Sequence, residues 1–406
     1  MAGEWRSVAL GDMVELKRGY DLPQRERSRG TIPIVSSSGV TGYHSEAKAT
    51  GPGVVTGRYG TLGEVFYVAE DFWPLNTTLY VRDFKGNNPR FVSYFLQSVN
   101  FLSYSDKAAV PGINRNHLHQ ARVRYPNDLA EQCAIAHILG SLDDKIELNR
   151  RMNETLEEMA RALFKSWFVD FDPVRAKMEG RQLPGIDDET AALFPDSFED
   201  STLGEIPKGW RITSIGDAVK VLGGGTPSTK ESSFWDGGTH CWATPKDLSK
   251  LQSPVLLDTE RKVTDAGLAK ISSGLLPVGT VLLSSRAPIG YLAVAQVPVA
   301  VNQGFIAMLC DGPLTTHYVL HWTRISVEQI KGRAGGSTFP EISKKNFRTM
   351  LLLAPPDEVL SAFEKRVVPL YDKMSANLRQ SSTLAAVRDA LLPKLLSGET
   401  RVKEAV

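Results

Sequence analysis

The sequence predicts a mixed α/β fold with two homologous globular blocks, separated by a long antiparallel two-helix coiled coil and related by an approximate two-fold axis. Three observations predict it. The 406-residue chain contains an internal repeat that spans both halves. Both halves carry short apolar runs bounded by Gly, Pro and Ser. In each half these runs are followed by a segment of about 40 residues with heptad spacing.

Matching strings in the same order define the repeat. Trp5-Arg6 returns as Trp210-Arg211, 205 residues later. Pro126 returns as Pro355, 229 residues later, and Asn149 returns as Asn377, 228 residues later. The second copy therefore holds about two dozen extra residues, all between Gly216 and Phe339. The order predicted from this repeat is block, helix, block, helix.

The first block covers residues 1–128 and the second covers residues 211–356. Short apolar runs predict strands in both. These runs are Gly53–Thr56, Val65–Val68 and Thr78–Val81, followed by Thr280–Ser284, Leu292–Val297 and Phe305–Leu309. A helix is predicted after Pro89, with a counterpart near residues 315–330.

Two long helices are predicted at residues 129–168 and 357–397, because apolar residues recur there at steps of three and four. The first seam is Ile135, Ile138, Leu142, Lys145, Asn149, Met152, Leu156, Met159 and Leu163. The second is Phe363, Val367, Leu370, Met374, Asn377, Ser381, Leu384 and Leu391. Asn149 and Asn377 occupy equivalent positions, where a polar residue sets the register. Two unrelated helices, each packed on its own domain, are the alternative.

Residues 169–210 have a net charge of −6 and are interpreted as an acidic linker, and residues 398–406 as a C-terminal tail. The two blocks carry +3 and +5, which suits two nucleic-acid contacts but also ordinary scatter of surface charge. Three separated cysteines predict a reducing cytoplasm and no zinc site. We expect no signal peptide and no membrane partner, because the apolar runs are far shorter than the ~20 residues of a span.

A continuous helix over residues 129–168 would be ~60 Å long. If the second helix returns antiparallel, two similar blocks lie several tens of ångströms apart. That separation matches major-groove sites one or more turns apart, at ~34 Å per turn. Since the blocks are not identical, such a protein would bind a split DNA target with two different halves.

Six strings of the sequence, each of moderate specificity alone, together match one protein family. They are Gly224-Gly225-Thr226-Pro227-Ser228, Phe234-Trp235, Trp242-Ala243-Thr244-Pro245-Lys246-Asp247-Leu248, Val301-Asn302-Gln303-Gly304, the junction Phe164–Pro173 and the opener Leu203–Trp210. With these strings the sequence resembles the specificity subunit of type I restriction–modification systems over essentially its whole length. The first block departs from this pattern, since Lys17-Arg18-Gly19-Tyr20 stands where the second has its glycine-rich turn. The blocks are therefore expected to read different bases.

The resemblance implies a non-catalytic subunit that holds two DNA methyltransferase (modification) subunits on a bipartite double-stranded DNA site. It implies restriction subunits, which are motor nucleases, in the full complex. S-adenosylmethionine, ATP and magnesium would belong to those partners, with no cofactor on this chain. The helices would serve as spacer and as docking surface for the modification subunits.

The residues themselves offer no catalytic site. The chain has no Asn/Asp-Pro-Pro-aromatic loop of the kind that grips a flipped adenine. Gly223-Gly224-Gly225 has no Lys-Ser/Thr at phosphate-loop spacing, so a turn close to DNA or within the block is expected. His117 and His119 alternate as metal ligands do, but no third ligand is evident, and no metal site is predicted.

Candidate DNA contacts are Arg, Lys, Asn and small polar residues in predicted loops, where backbone can approach a duplex. In the first block they are Lys17, Arg18, Tyr20, Arg25, Arg27, Arg29, Ser37, Arg58, Tyr59, Lys107, Asn114 and Arg115. In the second they are Thr226, Ser228, Lys230, Thr244, Lys246, Arg286, Lys331, Arg333, Ser337, Lys344 and Lys345. For any one of them, simple surface solubility is the alternative. Arg58 and Arg286 rank highest, because they occupy matching places after a strand in both copies.

Two other classes of function stay open. The chain could be an interaction scaffold or antitoxin-like protein whose coiled coil binds protein, without sequence-specific DNA contact. An enzyme, such as a nuclease with an unrecognised site, is the third reading. A steep fall of DNA affinity with salt separates the DNA reader from the scaffold.

Overall fold

A computed structural model describes residues 5–104, 112–336 and 340–402. The chain divides into two compact units. The described residues up to 147 and from 381 onward form the first unit, and residues 148–380 form the second. Both boundaries fall inside the two long helices, so each unit contains one globular block and a segment of each helix.

The first unit is strand-rich, with short helices at the ends of its sheets. Its described strands are β1 (Trp5–Ala9), β2 (Glu15–Arg18), β3 (Ile32–Ser36), β4 (Gly39–His44), β5 (Gly53–Gly57), β6 (Val65–Val68), β7 (Trp73–Pro74), β8 (Thr78–Asp83) and β9 (Arg122–Pro126). Its described helices are α1 (Leu10–Met13), α2 (Pro89–Gln97), α3 (Arg115–His119) and the start of the long helix α4 (Leu129–Phe168).

The sheets of the first unit run in the order β2-β8-β5-β6 and β4-β3-β7, with β1 paired to β9. β5 is buried along its whole length because it is a central strand, which explains its uninterrupted small and apolar run. Phe91 and Phe95 of α2 pack into the same core as Val54 of β5 and Leu395 of the C-terminal helix. The first globular block therefore completes its core with a late part of the chain.

The second unit has more elements. Its strands are β10 (Phe198–Ser201), β11 (Gly204–Pro207), β12 (Arg211–Ser214), β13 (Lys220–Leu222), β14 (His240–Ala243), β15 (Val255–Leu256), β16 (Arg261–Val263), β17 (Val281–Ser284), β18 (Leu292–Ala295), β19 (Val299–Val301), β20 (Phe305–Leu309) and β21 (Leu351–Ala354). Its helices are α5 (Asp172–Met178), α6 (Asp188–Ala192), α7 (Ile215–Ala218), α8 (Pro245–Ser249), α9 (Asp265–Leu268), α10 (Thr316–Ile325), α11 (Val327–Gly332), α12 (Lys344–Arg348) and the long α13 (Asp357–Ser397).

The two blocks share one strand order, which confirms the internal repeat. The sheets β13-β20-β17-β18 and β16-β14-β19 repeat β2-β8-β5-β6 and β4-β3-β7, and β12 pairs with β21 as β1 pairs with β9. Most of the extra length lies at residues 244–260, which replace the tight β3–β4 turn and add α8 and β15. The mixed α/β class with two homologous blocks is confirmed.

The two opening turns also correspond, although their sequences differ. A Cβ added to Gly19 would lie 2.2 Å from the Leu75 carbonyl oxygen, and one added to Gly224 would lie 1.7 Å from the Val301 carbonyl oxygen. Both glycines are therefore required by close approach of two backbones. The glycine-rich turn of the second block has this structural role within the block, as one of the two predicted readings proposed.

Residues 169–210 are a folded part of the second unit, so their interpretation as an acidic linker is wrong. The segment folds into α5, α6 and the β10–β11 hairpin. Val174, Phe194, Ile206 and Trp210 bury their side chains in the core of the second unit. The acidic residues lie between these apolar ones, so net charge alone concealed a packed segment.

Helix α4 occupies the residues of the first predicted long helix, and α13 occupies those of the second. In the first unit Arg388 of α13 donates to Asp143 of α4 at 2.7 Å. In the second unit Asn149 Nδ2 of α4 donates to Gln380 Oε1 of α13 at 2.9 Å. Within each unit, residues later in α4 contact residues earlier in α13, so the paired segments are antiparallel.

The predicted seam of α13 is confirmed through Asn377, since Phe363, Val367 and Met374 are fully buried. Beyond Asn149 the seam predicted for α4 is only partly correct, since Leu156 and Leu163 pack half-buried against the core of the second unit. There Asn153, Glu157, Ala160 and Phe164 are buried, whereas Met159 is 53% exposed. A straight helix has 3.6 residues per turn and drifts by ~20° per heptad from a strict repeat, so the contact stripe moves to the neighbouring residues.

Both predicted register asparagines are buried within the second unit. Asn149 Nδ2 also donates to the Asn377 carbonyl oxygen at 3.3 Å. Asn377 Nδ2 donates to Asn153 Oδ1 at 2.8 Å, and Asn153 Nδ2 donates to the Met374 carbonyl oxygen at 3.4 Å. The side chain of Asn377 thus pairs with Asn153, a residue that the heptad pattern did not single out.

Asn377→Ala is expected to lower the free energy of unfolding of the second unit by ~1–3 kcal/mol, because Asn153 Oδ1 loses its donor inside the helix pair. Chemical denaturation of the full chain measures the change. Lys373→Ala, an exposed substitution on the same helix, is the matched control. Equal midpoints for the two variants would contradict a structural role for the amide network.

Each block is attached to the long helices by its own polar contacts. In the first unit, Arg90 of α2 pairs with Asp144, and Tyr94 of α2 donates to Asp143. In the second unit, Arg324 of α10 pairs with the buried Glu157 of α4. His317 Nδ1 of α10 lies 2.6 Å from Glu364 Oε2, and His321 Nε2 lies 3.2 Å from the Tyr371 hydroxyl. The second block is therefore held to the long helices by ionisable side chains.

The second unit is expected to lose stability as pH falls from 7.5 to 5.0. Burial lowers the pKa of His321 to about 3, from an ordinary 6.5, so only the unfolded chain takes up its proton across this interval. The unfolded state then binds more protons, and the free energy of unfolding falls by ~2 kcal/mol at pH 5.0. Burial opposes ionisation of Glu364, but its contacts with His317 lower its pKa, so its contribution is lost only in stronger acid.

Denaturation at both pH values measures this effect, and His321→Gln is the comparison variant. The pH slope should flatten in that variant, because the titrating group is gone. A slope identical to that of the unchanged chain would contradict the assignment to His321.

The two ends of the described chain meet in the first unit. The Arg401 guanidinium lies 5.7 Å from the centre of the Trp5 ring, and Arg401 Nε lies 2.9 Å from Glu131 Oε1. Gly398 follows α13 with φ +78°, and a Cβ there would lie 3.1 Å from the Trp5 ring. Trp5 therefore ties the first strand to the residues that follow the last helix.

Candidate nucleic-acid interface

Five predicted contacts of the first block line one cleft of about 440 Å³. They are Arg18, Arg58, Tyr59, Asn114 and Arg115. β2 and β5 end at this cleft, and α3 begins there. Two strand ends and the start of a helix therefore meet at this cleft. They bring together Arg18 and Arg115, which are almost a hundred positions apart in the sequence.

The geometry of the cleft suits negatively charged or hydrogen-bonding ligands. The Arg58 guanidinium packs 4.6 Å from the centre of the Tyr59 ring. Asn114 caps α3, its side chain accepting a hydrogen bond from the Asn116 amide at 3.0 Å. Arg18 lies 3.8 Å from Asp21, whereas no described carboxylate forms an ion pair with Arg58 or Arg115. These two arginines can therefore donate to a nucleic acid without first breaking a salt bridge.

The other predicted residues of the first block lie outside this cleft. Lys17 Nζ donates to the Tyr20 hydroxyl at 3.0 Å, and this bond, with one to Tyr80, lowers the pKa of Tyr20. Ser37 lies in the β3–β4 turn beside the loop that carries Arg58. Arg25, Arg27 and Arg29 lie in the loop before β3, and Lys107 falls outside the described residues.

In the second block, predicted residues come together where β13, β17 and β19 end. Thr226 Oγ1 hydrogen-bonds with Gln303 Oε1. A Cβ added to Gly304 would lie 3.7 Å from Arg286 Nε, and one added to Gly223 would lie 2.5 Å from Lys344 Nζ. Thr226, Arg286 and Lys344 thus border one surface, with Gln303 among them.

The remaining predicted residues of the second block have other surroundings. Thr244 caps α8 through Asp247, and Lys246 Nζ lies 3.0 Å from Glu260 Oε1. The Ser228 carbonyl oxygen accepts from Trp235 at 2.9 Å, and Lys331 pairs with Glu328 at 2.8 Å. Lys230 and Lys345 are exposed, Arg333 donates to Thr349, and Ser337 falls outside the described residues.

The predicted correspondence of Arg58 with Arg286 is wrong by one residue. The Ile113 amide donates to the Arg58 carbonyl oxygen at 3.0 Å, whereas its counterpart, the Ile342 amide, donates to the Ser285 carbonyl oxygen at 3.1 Å. Arg58 therefore corresponds to Ser285, and Tyr59 corresponds to Arg286. Because neighbouring residues of an extended chain point to opposite sides, the two arginines do not share a direction.

Two residues of the second surface were not among the predicted contacts. Gln303 lies just after β19, in the string Val301–Gly304 that contributes to the family resemblance. The sequence therefore contained a signal that could have identified it as a contact. Glu341 lies 3.5 Å from Arg286 and pairs with it through the backbone. An acidic residue on a basic surface has no sequence signal of its own.

The predicted absence of a metal at His117 and His119 stays a prediction. Both lie on α3, and His119 Nε2 accepts a hydrogen bond from the Leu16 amide at 3.0 Å. Burial lowers the pKa of His119. Across the described ranges, no group of three His, Cys, Asp or Glu side chains is placed to hold a metal ion. Among the same residues no helix is both long and apolar enough to cross a membrane.

Comparison with known proteins gives concordant results. The family model for the type I restriction modification DNA specificity domain matches residues 2–158 and again residues 207–363. The type I restriction enzyme MjaIX specificity subunit of Methanocaldococcus jannaschii is 39% identical over 163 residues, which are 40% of this chain and 38% of that relative. The HindI specificity subunit of Haemophilus influenzae is 26% identical over 343 residues, 73% of each chain.

A crystal structure of the type I restriction–modification S subunit from M. genitalium has the same fold. It aligns with a TM-score of 0.60 at 15% identity, covering 97% of this chain and 96% of that chain. The chain thus matches less than half the length of the first relative, nearly three quarters of the second, and almost all of the solved structure.

Proposed function

The chain belongs to the type I restriction–modification DNA specificity family, and from this premise we propose how it works. Each globular block reads one half of a bipartite, asymmetric site in double-stranded DNA. The long helices set the spacing between the halves and hold two modification subunits, to which restriction subunits add in the full complex. The complex acts on DNA in the cytoplasm.

The observation that carries this proposal is one scaffold with two different surfaces. Tyr59 and Gly112 of the first block correspond to Arg286 and Glu341 of the second. At these matched places the first block has an aromatic ring and a glycine, whereas the second block has an oppositely charged pair. Base edges are distinguished by donors, acceptors and apolar groups, so different side chains at matched places favour different half-sites.

Half-exposed apolar residues on the long helices support docking of two like partners. Met159 of α4 and its counterpart Val387 of α13 are exposed. The flanking Leu156, Leu163, Leu384 and Leu391 are half-buried, and all but Leu384 also pack against the core of their own unit. Met159 is 53% exposed and Val387 is 43% exposed. Because the stripe occurs once in each repeat, it suits two copies of one partner rather than a single asymmetric one.

Catalysis and cofactors are assigned to the partner subunits. This chain has no Asn/Asp-Pro-Pro-aromatic motif for a flipped adenine and no phosphate-loop motif for ATP. S-adenosylmethionine belongs with the modification subunits, and ATP and magnesium with the restriction subunits. The purified chain alone is expected to methylate no DNA.

Binding of the chain, assembled with its modification subunits, to a duplex carrying its site tests the DNA role. Affinity should fall linearly on logarithmic scales as salt rises, and Arg58→Ala should cost ~1–3 kcal/mol while relaxing preference at one base pair. Arg82→Ala is the matched control, because Arg82 lies at the far end of β8 and pairs with Glu15. Salt-insensitive binding without base preference would favour the protein scaffold instead.

A further inference from the structure

Glu341 lies beside Arg286 on the proposed DNA surface of the second block, although an acidic side chain opposes DNA phosphates. Its backbone is held firmly, since its amide donates to the Gly335 carbonyl oxygen at 2.9 Å and its carbonyl accepts from the Gly335 amide at 3.0 Å. The adjacent Ile342 amide bonds to Ser285, the residue before Arg286. The carboxylate is therefore presented from a fixed position beside the arginine.

The surroundings of the pair are those of a base-reading surface. Arg286 Nη1 lies 3.5 Å from Glu341 Oε2, and both side chains are about 40% exposed. Gly304 lies beside Arg286, since a Cβ added to it would be 3.7 Å from Arg286 Nε. An isolated carboxylate at this place would weaken phosphate contacts. Its pairing with Arg286 leaves the carboxylate able to accept further hydrogen bonds from a donor on the ligand.

A G·C base pair offers both kinds of partner in the major groove. Guanine presents two acceptors, O6 and N7, which suit the arginine fork. The paired cytosine presents the N4 amino group, a donor that suits a carboxylate. Two side chains 3.5 Å apart, one a donor and one an acceptor, can serve neighbouring groups of a single base pair.

We propose that Arg286 and Glu341 act as one reading unit for a G·C pair in the second half-site, with Arg286 on guanine and Glu341 on the cytosine amino group. Glu341 also holds Arg286 in its reading direction before DNA arrives. The first block has Tyr59 and Gly112 at these places, so its half-site is read without this unit. The inference rests on the proposed DNA-reading function and names the base pair class that this surface selects.

The test uses the chain assembled with its modification subunits and a library of duplexes in which every position of the second half-site is varied. Arg286→Ala, Glu341→Gln and Glu341→Ala are compared with the unchanged complex. All three should relax preference at the same G·C position by about tenfold or more, and leave the first half-site unchanged. Shared loss at one position is the signature of a joint reading unit.

Asp311→Asn is the matched control, because it breaks an exposed ion pair with Lys220, 3.6 Å apart, beyond the opposite end of β20 from Gly304. It should leave every base preference intact. Relaxation at two different positions, at no position, or complete loss of binding by a natively folded Glu341→Gln complex would overturn the inference. An unchanged complex without any base preference would instead overturn the proposed function, so the two failures are distinguishable.

Discussion

Replacing residues 211–356 with the corresponding block of another family member is expected to lower affinity for the original DNA site by at least about 100-fold. Each mismatched base pair costs ~1–3 kcal/mol, and the costs add over a half-site of several pairs. The exchange is feasible because the two ends of the block lie side by side. β12 pairs with β21, and Arg211 lies opposite Ala354. Binding of the complex that contains the hybrid to duplexes varied over the whole site measures this loss and identifies the new preferences.

The first half-site is the internal control in this exchange. Since residues 5–104 and their helix contacts lie in the first unit, the bases they read should stay the same. The transferred block must keep a surface like that of α10, which contacts Glu157, Glu364 and Tyr371. New preferences in both halves of the site would refute independent reading by the two blocks.

Phe363→Ala is expected to destabilise the second unit by ~3–5 kcal/mol, the range for deleting a buried aromatic side chain. Phe363 is fully buried on α13, and its ring centre lies 5.0 Å from that of Phe168 and 6.0 Å from that of Phe164 on α4. It also faces His321 of α10 at 6.4 Å. One side chain therefore joins both long helices and the recognition block.

Chemical denaturation measures this loss, and Val368→Ala on the same helix is its control, since Val368 is 37% exposed. The control should change the midpoint little. A loss of less than ~1 kcal/mol for Phe363→Ala would mean that the surrounding rings collapse into the vacated space.

The long helices could be predicted from sequence because a helix leaves a regular signal over eleven turns. Over that length, residues that fit the helical pattern by chance have little weight, because buried residues such as Asn377 recur at helical spacing. Strands such as β6 and β20 were also predictable, since each is a short apolar run between turn residues. Their pairing order depends on contacts between distant residues, and a single sequence gives no record of those contacts.

Two of the errors share one physical cause, which is side-chain direction. Met159 fits a heptad, but rotation of the helix turns it outward and brings Ala160 inward. Arg58 and Arg286 both follow strands, yet a one-residue difference in the bonding to Ile113 and Ile342 sends them to different sides. The spacing of residues along the chain does not determine how a helix is rotated, or which residues of two strands are paired, when the surface that they pack against is unknown.

The meeting of Trp5 with the residues after α13 has a consequence for biosynthesis. The core of the first unit includes Leu395 and Leu396, so this core is complete only after residues 395 and 396 have left the ribosome. The second unit ends at residue 380 and has all its partners earlier. Since contacts between residues far apart in the sequence form slowly, we expect the sheets of the first block to keep an apolar face exposed until then, and to be the part of the protein that chaperones bind during synthesis.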